Sequence, residues 1–93
     1  MRIVKEIPHP RFKITVFSWN GKYLIKIEDA HLEQVYKIPE GELEGLHEVE
    51  MILSTPFLLG CLDRFAQMAK DFNHAWRHRY ENQNQESNEN PND

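Results

Sequence analysis

Cysteine is scarce in this sequence, since Cys61 is the only one among 93 residues. A single cysteine excludes an internal disulfide, and it also excludes zinc and iron–sulfur sites that need several cysteine ligands. A chain that uses no disulfide suits a reducing compartment, so we expect a cytoplasmic location. Apolar residues accompany Cys61 at helical spacing, which indicates a buried structural thiol.

Long apolar runs and glycine-rich loops are also missing. Charges interrupt the apolar residues of the first six positions, which therefore lack the apolar core of a secretory signal. No run of 18 apolar residues occurs, so we expect no membrane-spanning helix and no membrane partner. The four glycines are isolated at positions 21, 41, 45 and 60, and none belongs to a phosphate-binding loop. The sequence predicts no cofactor and contains no catalytic signature.

Neither sign of charge dominates the body of the chain. Residues 1–37 carry 7 basic and 4 acidic groups, residues 38–63 carry 6 acidic groups alone, and residues 64–80 carry 4 basic groups and 1 acidic group. These blocks sum to zero, so the net charge of -4 comes from the 4 acidic groups of residues 81–93. A neutral body is not typical of a nucleic-acid-binding protein, which usually presents a basic face.

The strongest positive signal is a β-hairpin that turns at Asn20-Gly21. Two runs rich in β-branched and aromatic residues, 12–19 and 22–28, flank this dipeptide. Asn-Gly is the preferred centre of a two-residue type I′ turn, because both positions need positive φ. The turn places Trp19 opposite Lys22, and alternation along the strands then assigns side chains to two faces. One face is predicted to be core: Ile14, Val16, Tyr23, Ile25 and Ile27.

Two more strands are predicted on either side of the hairpin. Residues 2–7 alternate as a strand that Pro8 ends, because proline lacks the hydrogen-bond donor of the ladder. Residues 32–38 alternate as a fourth strand, and residues 28–31 hold the connection that leads to it. Four strands in sequence predict an antiparallel meander.

Two helices are predicted after the sheet. Helical spacing predicts a short helix over residues 42–53 from five apolar positions: Leu43, Leu46, Val49, Ile52 and Leu53. Thr55 is the predicted N-cap of a second helix, with Pro56 at the first helical position. An apolar stripe from Leu58 to Tyr80 predicts that this helix runs over residues 56–80. The predicted fold class is α+β, a four-stranded antiparallel β-meander followed by a short helix and a long C-terminal helix packed on one sheet face.

The chain divides into a body and a tail. Residues 1–80 are expected to form a single α+β domain, and a domain of this size buries only about 60% of the surface of its unfolded chain. Residues 81–93 contain no apolar side chain. Because they cannot offset their ordering entropy by burial, we expect a polar, acidic and disordered tail.

The candidate metal site consists of Asp71, His74 and His78, whose spacings of three and four place them on one helix face. This face lies opposite the apolar stripe, so an ordinary solvated surface is the simpler interpretation. Ala75 also stands where the zinc motif H-E-x-x-H requires glutamate. The metal hypothesis therefore depends on spacing alone.

The outer-face patch consists of apolar residues on the sheet face opposite the core: Phe17, Trp19, Leu24 and Val35. The outer face of such a sheet is normally wet, so these residues need a cover, either from a helix of this chain or from a partner. The leading hypothesis is a non-enzymatic protein-interaction module that self-associates as a dimer through this patch or through the long helix. The alternative is a small-molecule-binding or divalent-metal-binding protein with weak enzymatic activity.

Overall fold

Four strands and two helices follow one another along residues 1–81, which is the part of the chain that the computed structural model describes. The elements are β1 (Arg2–Ile7), β2 (Lys13–Trp19), β3 (Lys22–Asp29), β4 (Leu32–Pro39), a 3-10 turn (Glu40–Glu42), α1 (His47–Ile52) and α2 (Thr55–Arg77). The predicted α+β class is confirmed. Apart from Glu81, the predicted tail lies outside the described residues.

The sheet is antiparallel with the strand order β1-β2-β3-β4, as the predicted meander requires. The predicted hairpin register is confirmed from Trp19 opposite Lys22 down to Lys13 opposite Glu28. Asn20 and Gly21 have φ values of 55° and 76°, which is the positive-φ pair of a type I′ turn. The next turn is also tight, because Asp29 pairs with Leu32.

The core lies between one face of the sheet and the two helices. Its buried residues include the predicted aliphatic positions of the hairpin and a few helix residues: Ile14, Val16, Ile25, Ile27, Val49, Cys61 and Phe65. Tyr23 is partly buried against the same cluster. Both helices therefore pack on the predicted core face.

The short helix is shorter than the spacing of its apolar residues predicts. Residues 42–53 form the end of the 3-10 turn, an irregular segment and α1, which begins only at His47. Leu43 is extended, with φ -112° and ψ 143°, although it still packs against the core. Gly45 falls in the irregular segment, and glycine costs a helix interior about 1 kcal/mol relative to alanine. Apolar spacing thus identified four of the five side chains that pack in or against the core, but Ile52 is 39% exposed, and the backbone conformation was not predicted.

The start of α2 differs by one residue from the prediction. Ser54 is the N-cap, and its hydroxyl oxygen accepts a hydrogen bond from the backbone N–H of Phe57 at 3.4 Å. Thr55 is already helical, and Pro56 occupies the first turn, where its missing N–H is not needed. The helix ends at Arg77, three residues before the predicted end. No helix in residues 1–81 is long and apolar enough to cross a membrane.

Candidate interaction surfaces

The outer-face patch lies where its register predicts, but only part of it is exposed. Phe17 pairs with Leu24 on one side and with Ile3 on the other, so these three residues form one row across three strands. Trp19 is 49% exposed, whereas Leu24 is only 6% exposed. Val35 is also exposed, on the edge strand β4. The exposed members of the patch are therefore Trp19 and Val35, and Ile3, which is 56% exposed, lies beside Phe17 on β1.

Lysines border the patch and cover some of its apolar surface. The Nζ of Lys26 lies 5.2 Å from the ring centroid of Phe17, which is a cation–π contact. Lys22 stands opposite Trp19, and Lys37 stands opposite Leu24 in the row. Neither α1 nor α2 covers this face, because both pack against the core on the other side. Among the described residues, therefore, no helix covers the outer-face patch.

A second apolar surface continues the buried stripe of α2. The first part of the stripe, Cys61 and Phe65, is buried in the core. The projecting stripe, which we define as Phe72, Trp76 and Tyr80, follows at the same helical spacing but is 57%, 56% and 67% exposed. None of these three side chains belongs to the buried core or packs against it. Two of these aromatic side chains lie on the last turns of α2, and Tyr80 follows the C-terminal cap of the helix.

The projecting stripe is internally ordered by stacking. The rings of Phe72 and Trp76 are stacked with centroids 6.3 Å apart. The guanidinium of Arg79 lies 4.2 Å from the Trp76 ring centroid and 4.8 Å from that of Tyr80, and it donates a hydrogen bond to the carbonyl oxygen of Trp76. Tryptophan, tyrosine and arginine are the residues enriched at energetically important positions of protein interfaces.

A polar cluster fastens β4 to α2. Arg64 donates hydrogen bonds from Nε to the side-chain oxygen of Gln34 and from Nη2 to the hydroxyl of Tyr36, both at 3.2 Å. Gln34 donates in turn to the carbonyl oxygen of Cys61 at 3.0 Å. The hydrogen bonds to Tyr36 and Cys61 raise the pKa of the Arg64 guanidinium above its ordinary value, so it remains charged.

Sequence reasoning missed this cluster, although one signal for it was present. Gln34 occupies an inward position of β4 between two apolar residues, Leu32 and Tyr36. A polar side chain on a core face requires hydrogen-bond partners, so Gln34 predicts a polar neighbour on the helix above it. The cluster positions Cys61 as a structural thiol that is fully buried, as its place in the stripe predicts.

The three predicted metal ligands are only partly brought together. The imidazole rings of His74 and His78 have centroids 4.5 Å apart, and His78 also contacts Glu81. Asp71 faces a depression beside β4 instead. Among the described residues, the group whose ligand atoms all lie within 4.8 Å is a different one, formed by Glu44, His47 and Glu48. The metal site stays a prediction from spacing.

A cavity lies where the β1–β2 connection meets the first turns of α2. Its volume is about 450 Å³, and its lining is mainly apolar, including Ile7, Phe12, Leu58 and Leu62. His9 also lines it and shapes the connection, because its Nδ1 accepts hydrogen bonds from the backbone N–H groups of Arg11 and Phe12, both at 3.1 Å. This role of His9 was not predicted from the sequence.

Comparison with known proteins adds no family to this picture. No family model matches the chain, and neither a curated protein nor a solved structure with significant similarity was found. Function must therefore be argued from the surfaces themselves.

Proposed function

We propose that this protein is a non-enzymatic interaction module that self-associates through the projecting stripe of α2. The observation that carries the proposal is the continuation of one apolar stripe from the core into solvent. Phe72, Trp76 and Tyr80 are each more than half exposed, and soluble monomers rarely leave contiguous aromatic surface uncovered.

A second copy of the chain is the simplest partner for this stripe. Two identical stripes related by a two-fold axis are self-complementary, and two-fold dimers are the commonest soluble assemblies. Complete burial of an aromatic side chain contributes about 1.5–3 kcal/mol, and these side chains are already partly covered. Association costs about 4–15 kcal/mol in lost freedom of motion, so a stable dimer needs contacts beyond the stripe.

The outer-face patch is the weaker of the two candidate interfaces. Leu24 is buried within it, and Lys26 lies over Phe17. Trp19 remains exposed at the hairpin end, where it faces Lys22. Two of the four patch residues are exposed and each is less than half exposed, whereas all three residues of the projecting stripe are more than half exposed.

Location and partner class follow from charge and cysteine content. We propose a cytoplasmic protein, because the single Cys61 is buried and unpaired with any other cysteine. We propose no nucleic-acid partner, because the folded body has balanced charge and lacks a basic face in its sequence.

The stripe can be tested by fluorescence of the Trp19→Phe variant, in which Trp76 is the only indole. The Trp76 emission should shift to shorter wavelength as the protein concentration rises, because dimerisation buries the indole. Adding Phe72→Gln should abolish the shift. The matched control is Lys70→Gln, which changes the same helix about a third of a turn from the centre of the stripe and should retain the shift.

A concentration-independent spectrum in the parent variant would contradict the proposal. If the Lys70→Gln control also loses the shift, the loss is caused by destabilisation of the helix rather than by removal of the stripe.

The cavity supports a second candidate, a module that binds a small apolar molecule. A mainly apolar cavity of about 450 Å³ falls within the size range of ligand pockets. An apolar anionic dye such as anilinonaphthalene sulfonate should bind there and brighten. Leu58→Trp, which fills the cavity, should remove this signal, whereas Phe72→Gln should not. If the signal survives Leu58→Trp and is lost in Phe72→Gln, the dye binds the stripe and the candidate fails.

A further inference from the structure

The outer edge of β4 has unpaired main-chain groups. The pair Asp29 and Leu32 closes the tight β3–β4 turn, so Leu32 and every second residue after it direct their N–H and C=O groups towards β3. The hydrogen bond from Glu40 N–H to Gly21 O, at 2.9 Å, continues this alternation. The intervening residues Glu33, Val35 and Lys37 therefore direct theirs away from the sheet. Within residues 1–81 these outward groups have no partner strand.

The sequence of this edge is complementary to itself. We propose that β4 pairs antiparallel with β4 of a second copy around a two-fold axis at Val35, which joins the two sheets into one of eight strands. In this register Glu33 lies opposite Lys37 of the second copy, and Lys37 lies opposite its Glu33. Each of these outward pairs can exchange two main-chain hydrogen bonds.

Neighbouring registers lose this match. An axis at Tyr36 places Val35 opposite Lys37 of the second copy, so the two charges no longer meet. An axis at Gln34 places Glu33 opposite Val35 and leaves the lysine beside the turn. Only the axis at Val35 pairs both charges, and it also sets Leu32 opposite Ile38 on the core face.

Charges within one chain support the same register. Glu33 and Lys37 are both exposed, and neither has a salt-bridge partner among the described residues. Glu33 stands opposite Glu28 in the β3–β4 pairing, which is a like-charge pair. Opposite charges across antiparallel strands stabilise and like charges destabilise. A lysine from a second copy would therefore offset the electrostatic repulsion that Glu33 experiences from Glu28.

The other edge of the sheet is less suited to such pairing. The ladder between β1 and β2 shifts register between Ile3 and Lys5, and bulges of this kind protect edges from further strands. Lys5 is also tied to Glu50 of α1 by a salt bridge of 2.6 Å. In contrast, β4 pairs with β3 without interruption over eight residues, and Arg64 holds its inward side chains in place.

The β4 edge also adjoins the projecting stripe. Val35 shares a surface depression with Met68 and Asp71 of α2, and the exposed residues of the stripe begin at the next position along the helix, Phe72. A copy placed along β4 would thus lie beside the part of α2 that leads into the projecting stripe. The β4 pairing rests on the proposed self-association and supplies the contacts that the stripe alone lacks.

Charge reversal across the two-fold axis tests this pairing by sedimentation velocity. Glu33→Lys and Lys37→Glu each create two like-charge pairs and should weaken the dimer about tenfold. An equimolar mixture of the two variants should restore association, because both charge pairs are then opposite in sign. The double variant with both reversals should dimerise like the native chain. Circular dichroism should show the same fold for all.

The outcomes separate this pairing from self-association in general. If the native chain is a monomer at every concentration, both proposals are wrong. If the native chain dimerises but neither reversal weakens it, the β4 pairing is wrong and the stripe remains. Weakening by both reversals without restoration in the mixture would also overturn the Val35 register.

A crosslink provides an independent measurement of the axis. Val35→Cys places two thiols opposite each other, with Cα atoms about 5.5 Å apart, which a disulfide can span. Oxidation should give a covalent dimer. Glu33→Cys is the control, because its copies lie two residues from the axis on opposite sides and should not crosslink. Equal crosslinking of both variants, or none at Val35→Cys, would contradict the register.

Discussion

The two halves of α2 differ in what covers them, although they share one apolar stripe. In the first half Cys61 and Phe65 are buried against the sheet. In the second half Phe72 and Trp76 are more than half exposed. The spacing and the residue classes are the same, so the difference arises from where the sheet ends rather than from the helix itself. The stripe is longer than the core that residues 1–81 form around it.

This contrast is the physical basis for the proposed assembly. A helix of 23 residues is about 34 Å long at 1.5 Å per residue. The described part of the chain accordingly measures 55 × 29 × 20 Å. A second copy along β4 would extend the sheet beside α2, next to the depression that Val35 shares with Met68 and Asp71.

The largest effect on the free energy of unfolding is expected from a substitution in the buried half of α2. Phe65→Ala removes a side chain from the core and should lower the free energy of unfolding by about 3–5 kcal/mol, because burial is lost and a cavity remains. Urea unfolding followed by circular dichroism, at a concentration where the chain is monomeric, measures this change. A loss below about 1 kcal/mol would mean that the two halves are not energetically distinct.

The smallest effect on monomer stability is expected in the exposed half. Trp76→Ala should change the free energy of unfolding of the monomer by no more than about 0.5 kcal/mol, since exposed positions contribute little. The same substitution should weaken dimerisation. A stability loss similar to that of Phe65→Ala would show that Trp76 is packed within its own chain, and the comparison of the two halves would fail.

Local signals predicted most of the sheet. Asn20-Gly21 specified the turn, the turn specified the register, and the register separated core residues such as Val16 from outer-face residues such as Phe17. The second tight turn had no such signal, because Ala30 adopts φ 55° without being glycine or asparagine. Its geometry is imposed by the pairing of the strands on either side.

Exposure was the part that periodicity could not predict. The helical period places Phe65 and Phe72 on the same side of α2, but it contains no information about where the sheet stops. Burial of Leu24 on the outer face likewise depends on neighbouring strands. Both facts are properties of tertiary structure, so the sequence pattern alone could not separate the exposed residues of the candidate interface from the buried ones.

The mass of the native chain in solution tests self-association most directly. Sedimentation velocity over a wide range of concentration should show a species of twice the 11.1 kDa chain mass, in equilibrium with the monomer. Phe72→Gln should shift this equilibrium towards the monomer, since it removes an aromatic side chain from the projecting stripe. A native chain that sediments as a monomer of 11.1 kDa at the highest concentration reached would contradict the account.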